Sequence, residues 1–188
     1  TWAANAILVN QPNGYKEMGI FNAANQWRIA ILFLPSVLSK PVLPMLSESL
    51  HRSVQEYKQV LKLNLCITGT ISLCLALVIS AVSPWIMTSY GDDFLNSWPV
   101  LTMLALSATF SAIAGVIGNA IWSMGKMWHS LVLNTIWSIV FIVVCLLTIE
   151  WGAMGLATAY FISYITHLML QMLYVAFPMR FQLRVSEG

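Results

Sequence analysis

Charge is what this sequence has least of. Its 188 residues carry nine basic and seven acidic side chains, 9% of the chain, against 59% hydrophobic residues. The mean hydropathy is +0.76. A soluble domain is about 25% charged, and so few charges cannot coat a globule of this size. Carboxylates are absent from every long apolar run, and cysteine is scarce. Cys66, Cys74 and Cys145 sit inside apolar runs without metal-like spacing, and they read as buried packing thiols. Catalytic signatures are missing too. There is no His-Glu-x-x-His, no Gly-x-Ser-x-Gly and no pair of intramembrane aspartates, so the chain is not expected to be an enzyme. A net charge of +2 gives no reason to expect nucleic acid as a partner, and nothing in the sequence implies a cofactor or a metal.

What is present is a set of long uncharged stretches. Between Lys62 and Asp92 lie 29 residues without Asp, Glu, Lys or Arg; Asp93 to Lys126 leaves 32, Lys126 to Glu150 leaves 23, and Glu150 to Arg180 leaves 29. A bilayer core needs about 20 apolar residues of helix, so each stretch can span. The runs lack two-residue alternation, which excludes barrel strands. The expectation is an all-α, polytopic transmembrane bundle with five complete spans near 19–46, 63–88, 97–123, 129–149 and 152–177. Turn residues separate them: Gln11-Pro12-Asn13-Gly14, Tyr90-Gly91-Asp92-Asp93, Gly125-Lys126 and Gly152. The opening stretch Thr1–Val9 reads as the end of a sixth span, and the chain as a C-terminal fragment. Residues 1–180 would form the bundle and 181–188 a tail.

Basic residues in short loops set the orientation. Lys40, Arg52, Lys58, Lys62, Lys126, Arg180 and Arg184 fall in alternate connections, and Glu17, Asp92, Asp93 and Glu150 in the others. The basic connections and the C-terminus are therefore expected in the cytoplasm. Trp98, Trp122, Trp128 and Trp151 lie near span ends, where an aromatic belt belongs. Leu50, Val54, Tyr57 and Leu61, with Arg52, Glu56 and Lys58 between them, read as one amphipathic helix lying on the headgroups. Ser111/Gly115 and Ala114/Gly118 read as small-residue packing seams. Asn119, Asn134 and Gln171 read as interhelical glue.

The first complete span departs from this apolar pattern. It carries Asn22, Asn25, Gln26 and Arg28, then Pro35, Pro41 and Pro44. Arg28 lies nine residues in from Gly19, roughly 13 Å at helical rise. An arginine at that depth costs about 2.5–3.5 kcal/mol unless it faces water or a partner. The prolines should kink the helix. These residues point to a water-lined cavity in which Arg28, accompanied by Asn22, Asn25 and Gln26, meets an anionic substrate. The alternative is an arginine that snorkels outward or bonds carbonyls. His167, mid-way along the last span, is a weaker candidate for a proton relay.

Several segments in order resemble a known family. The stretch GYKEMGIFNAANQWRIAILFLPSVLSKPVLPMLSE (14–48) is similar to the Gly-x-(Tyr/Phe)-Asn-Ala-Ala stretch and following Pro-x-x-Ser helix of polysaccharide-export flippases. YGDDFLNSWPVLTMLALS (90–107), WSMGKMWHSLVLN (122–134) and WGAMGLATAYFISY (151–164) continue the likeness. These are the lipid-linked O-antigen flippases of the multidrug/oligosaccharidyl-lipid/polysaccharide exporter superfamily. The resemblance implies most of the second six-helix bundle of a 12–14-span transporter in the bacterial inner membrane. Its partners would be membrane lipids, the N-terminal bundle and an undecaprenyl-pyrophosphate-linked oligosaccharide, moved by alternating access. A drug/cation antiporter of the same superfamily and a non-transporting scaffold of a polysaccharide-assembly complex are the other readings.

Overall fold

The computed structural model describes the backbone from Trp2 to Ser186 and side chains over residues 5–175. Thr1, Glu187 and Gly188 lie outside the described residues, as do the side chains of Arg180 and Arg184 in and beside the expected tail. The described residues form helices and turns without a strand: α1 (Trp2–Val9), α2 (Gly14–Leu38), α3 (Val42–Arg52), α4 (Val54–Thr88), α5 (Trp98–Ser123), α6 (Met127–Thr148) and α7 (Gly152–Ser186). Single 3-10 turns, Asp92–Phe94 and Ile149–Trp151, complete two of the connections.

Four helical stretches are long and apolar enough to cross a membrane: Gly14–Arg52, Val54–Thr88, Trp98–Ser123 and Met127–Val175. The last contains two helices. Trp137 stacks near Tyr164 at 5.3 Å between ring centroids, and Phe141 meets Tyr160 at 4.8 Å. Residues earlier in α6 thus face residues later in α7, so the pair folds back as an antiparallel hairpin. Gly152 makes the turn at φ 61°, a left-handed conformation that glycine adopts without steric cost.

Two boundaries differ from the sequence expectation, both for local backbone reasons. The first span was expected over 19–46 with kinks. Instead α2 stops at Leu38, a turn spans Ser39–Pro41, and α3 starts at Val42 with Pro44 in its first turn. Proline is tolerated there because the first-turn N–H groups have no intrahelical partner. The amphipathic segment around Leu50–Leu61 is not one helix. Ser53 breaks it in extended conformation, and its Oγ accepts a hydrogen bond from the Glu56 N–H at 3.0 Å, capping α4. The apolar face of α4 does not lie on headgroups. Tyr57 and Leu61 are buried against α3 and α5, and the Tyr57 hydroxyl donates to the Ala120 carbonyl at 3.1 Å.

α5 is the central helix, enclosed by α2, α3, α4 and α7, while α6 lies outside against α7. One apolar cluster occupies the end bearing the acidic connections, around Phe21, Leu101, Leu104, Phe141 and Tyr160. A second, at the opposite end, surrounds Tyr57, Ile117, Ile121 and Leu133. Of the three cysteines only Cys145 is buried; Cys66 and Cys74 are exposed on α4, so the expectation of three buried thiols fails there.

A polar clasp ties α2 to α7. The Glu17 carboxylate, in the first turn of α2, accepts a hydrogen bond from the Ala153 N–H at 2.7 Å. It thereby caps the N-terminus of α7, where unpaired N–H groups and the helix dipole both favour an anion. The carboxylate also fills the space that a side chain at Gly152 would need. Glu17→Ala should therefore lower stability by about 1 kcal/mol, and Glu17→Gln by less. Thermal melting of the purified full-length protein in detergent would check this; equal melting temperatures for Glu17→Ala and wild type would refute the cap.

Candidate functional site

Arg28 lies half-way along α2, on the stripe it shares with Ile20, Ala24, Ile31 and Pro35, all buried. That stripe faces α5 and α7, so the guanidinium points into the bundle and is only 7% exposed. Its carbon sits 4.7 Å from the centre of the Tyr160 ring and 5.3 Å from that of Tyr164. These tyrosines are four residues apart and stack on one face of α7. Arg28 is turned inward rather than snorkelling outward, and among the described residues its Nε bonds no carbonyl. No acidic side chain among the described residues pairs with it, and its Nε is buried without a partner. A desolvated cation–π contact is worth about 2 kcal/mol or more. Two rings therefore offset much of the cost of placing the charge at this depth.

The other three residues of the candidate set are not gathered around it. Asn25 is half-buried, with its Oδ1 enclosed and unpartnered; Asn22 is half-buried and Gln26 exposed. Asn22 and Gln26 lie on the side of α2 away from the buried stripe. Four residues of similar polarity thus split between an inward cation and an outward amide face.

A cleft of about 560 Å³, mostly apolar in surface but set with polar groups, opens one turn beyond Arg28. Its walls include Leu32, Pro35 and Ser36 of α2, Ser39 and Lys40 of the turn that follows, Ser111, Gly115, Gly118, Asn119 and Trp122 of α5, Ser130 and Asn134 of α6, and Tyr164, His167 and Gln171 of α7. Tyr164 belongs to both features: it lies beside the Arg28 guanidinium and forms cleft wall. The cleft exists because α2 and α7, in contact through Phe21–Tyr160 and Arg28–Tyr160, separate where α2 ends. It lies at the end carrying Lys40 and Lys126. Among the described residues Lys40 is the one charged residue in its wall.

The cleft corrects two expectations. Asn119, Asn134 and Gln171 do not bridge helices; they line the cleft, and the side-chain bond made by Gln171 is to His167 on its own helix. Ser111, Gly115 and Gly118 are not a packing seam here. A Cβ added at Gly115 would meet nothing within 4 Å, and one at Gly118 only the Gln171 amide, 3.9 Å away. Absence of side chain makes room for the cleft rather than for another backbone.

His167 is buried and its Nε2 lies 2.9 Å from Gln171 Nε2. The Gln171 amide donates and the ring nitrogen accepts, and His167 Nδ1 is buried without a partner among the described residues. No carboxylate among the described residues lines the cleft, so a relay through His167 would have water and hydroxyl groups as neighbours. The sequence singled out Arg28 and His167 but not Tyr160 and Tyr164. Their four-residue spacing on the last span was the available signal.

Fold and site together define a helical membrane protein with one charge held inside its bundle and a polar cleft beside it. Two curated relatives carry this likeness further. The chain is 24% identical to the EPS I polysaccharide export inner membrane protein EpsE of Ralstonia nicotianae over 156 residues, covering 80% of this chain and 35% of the relative. It is 22% identical to the protein of the same name from Ralstonia solanacearum over 155 residues, with the same shares. The chain thus spans about a third of the length of the relatives it matches. No family model matches the chain, and no solved structure matches it.

Tyr160 packs on Phe21 and Phe141 as well as on Arg28, whereas Tyr164 is only half-buried. Tyr160→Leu should cost about 2–3 kcal/mol through the lost ring packing and exposed cation, and Tyr164→Leu about 1 kcal/mol. Denaturant or thermal unfolding in detergent would rank them; the reverse order would contradict this account of the Arg28 site.

Proposed function

We propose that the chain is part of a polysaccharide-export transporter that moves a lipid-linked oligosaccharide across the bacterial inner membrane. The observation that carries this reading is Arg28, a buried cation with no acidic partner among the described residues, one turn from a polar cleft. Hydrocarbon excludes charged and hydroxyl-rich headgroups, so such a transporter must supply a polar path while the lipid tail stays in the bilayer. A cation stacked on aromatic faces, without an acidic partner among the described residues, can exchange one of those faces for a phosphate oxygen, a stronger and charge-assisted partner.

In this reading α2, α4, α5, α6 and α7 each cross the membrane, and the basic end, with the cleft, faces the cytoplasm. The substrate is an undecaprenyl-pyrophosphate-linked oligosaccharide, translocated by alternating access together with a second bundle. Arg28 engages the pyrophosphate. Asn22, Asn25 and Gln26, on other sides of α2, contact water, sugar or that bundle. The likeness to two polysaccharide export inner membrane proteins supports the export role. A drug/cation antiporter is less well supported, because no carboxylate among the described residues lines the cleft or pairs with Arg28.

One observation favours a second reading: stacking on two rings already shields Arg28, as a non-transporting scaffold would require. Substitution separates the two. In the full-length protein Arg28→Ala should abolish surface polysaccharide, and Arg28→Lys should reduce it severalfold, because an ammonium keeps the charge but loses the planar two-pronged donor. Normal polysaccharide from both variants, at wild-type protein levels, would overturn the transport role of Arg28.

A further inference from the structure

The cleft holds polar groups that the packing of the bundle leaves unanswered. Gln171 is 3% exposed, and its Oε1 has no hydrogen-bond partner. Its Nε2 donates to His167 Nε2 at 2.9 Å. Gln171 thus stands in the wall of a cleft of about 560 Å³ with its Oε1 enclosed and unpartnered. An enclosed, unpartnered acceptor costs about 1–3 kcal/mol, so a donor from a ligand or water there is favoured.

The rest of the wall narrows the chemistry of that donor. Asn119, Asn134, Ser111 and Ser130 offer neutral donors and acceptors, and Tyr164 and Trp122 offer aromatic faces. Among the described residues Lys40 is the one charge in the wall, just past the end of α2, and no carboxylate is present. This set disfavours a cation. Amides and hydroxyls set beside aromatic faces suit a ring with hydroxyls on its edge and C–H groups on its faces. The volume falls in the range of small-molecule sites, about 300–1,000 Å³.

We infer that the cleft is a sugar-recognition site: it binds one or two hexose-like residues of a neutral or anionic glycan, with the Gln171 amide as the central specificity-determining contact. The inference rests on the export reading above for the presence of a glycan, but the site is separate from Arg28. Gln171 reads a hydroxyl donor, Asn119 and Asn134 bond neighbouring hydroxyls, and Tyr164 or Trp122 packs against the ring face. A site built to bond a hydroxyl rejects an analogue lacking it, because the buried amide is then left unpaired.

The test uses the purified full-length protein and two probes: the oligosaccharide repeat released by acid hydrolysis from the host's own extracellular polysaccharide, and inorganic pyrophosphate. Binding is read by saturation-transfer NMR and by shift in melting temperature. Gln171→Met, of similar length but without the amide, should weaken oligosaccharide binding about ten-fold or more and leave pyrophosphate binding unchanged. Gly115→Leu should abolish oligosaccharide binding by filling the cleft. It creates no clash, since a Cβ there meets nothing, and leucine favours helix over glycine. Wild-type oligosaccharide affinity in a normally melting Gly115→Leu protein would overturn the proposal, as would no oligosaccharide binding by the wild type. Loss of pyrophosphate binding in Arg28→Ala alone speaks to the export reading. Retained pyrophosphate binding in that variant, with oligosaccharide binding still dependent on Gln171, would sink the Arg28 role and keep the cleft.

Discussion

A cation inside an apolar bundle must be answered by something, and in this protein aromatic faces answer it. The Arg28 guanidinium lies over Tyr160 and near Tyr164, and that contact holds α2 against α7 at mid-depth. Tyr160 in turn packs on Phe21 and Phe141, so one ring couples three helices to one charge. The Glu17 carboxylate, which caps α7 at its Ala153 N–H, ties the same two helices together nearer their N-terminal ends. Beyond Arg28 the tie ends. α2 stops at Leu38 and α7 continues, and the gap between them is the cleft. Clasp, cation and cleft therefore form a sequence along one pair of helices.

The composition of the cleft follows from the same geometry. Where helices pack closely, side chains must be apolar or small enough to exclude water. Where α2 diverges, Ser111, Gly115 and Gly118 of α5 leave space, and the polar groups of α6 and α7 have nothing to bond across it. Gln171 is held by His167 in the wall of that space, with its Oε1 enclosed and unpartnered. Buried polar groups without partners are uncommon in native structures, and they concentrate where ligand or water completes the site.

Much of the fold was legible because helix boundaries are marked by local chemistry. The Asn13-Gly14, Gly91-Asp92, Gly125-Lys126 and Gly152 signals coincide with helix ends, since glycine and asparagine take backbone conformations that interrupt a helix. Ser53 was missed although Ser53-Val54-Gln55-Glu56 has the spacing of an N-cap; the hydrophobic periodicity of Leu50 to Leu61 runs through it. The site was only half legible. Arg28 stood out by cost alone, but its partners lie more than a hundred residues away and carry no charge to announce them. Helical periodicity groups Asn22, Asn25 and Gln26 with one another, yet cannot say that Arg28 turns to a different side. The cleft was not legible at all, because small residues read alike whether a neighbouring helix or a void stands beside them.

The central claim is that a water-accessible cleft opens beside the buried Arg28 at the basic end of the bundle, the end that the proposed orientation sets in the cytoplasm. Cysteine accessibility tests it most directly. In the full-length protein with Cys66, Cys74 and Cys145 replaced by alanine, Ser111→Cys and Asn134→Cys are exposed to a membrane-impermeant thiol reagent from each side in turn. The account predicts labelling of both from the cytoplasmic side and protection by added oligosaccharide. Labelling from the periplasmic side alone, or none while a Lys40→Cys control reacts, would contradict it.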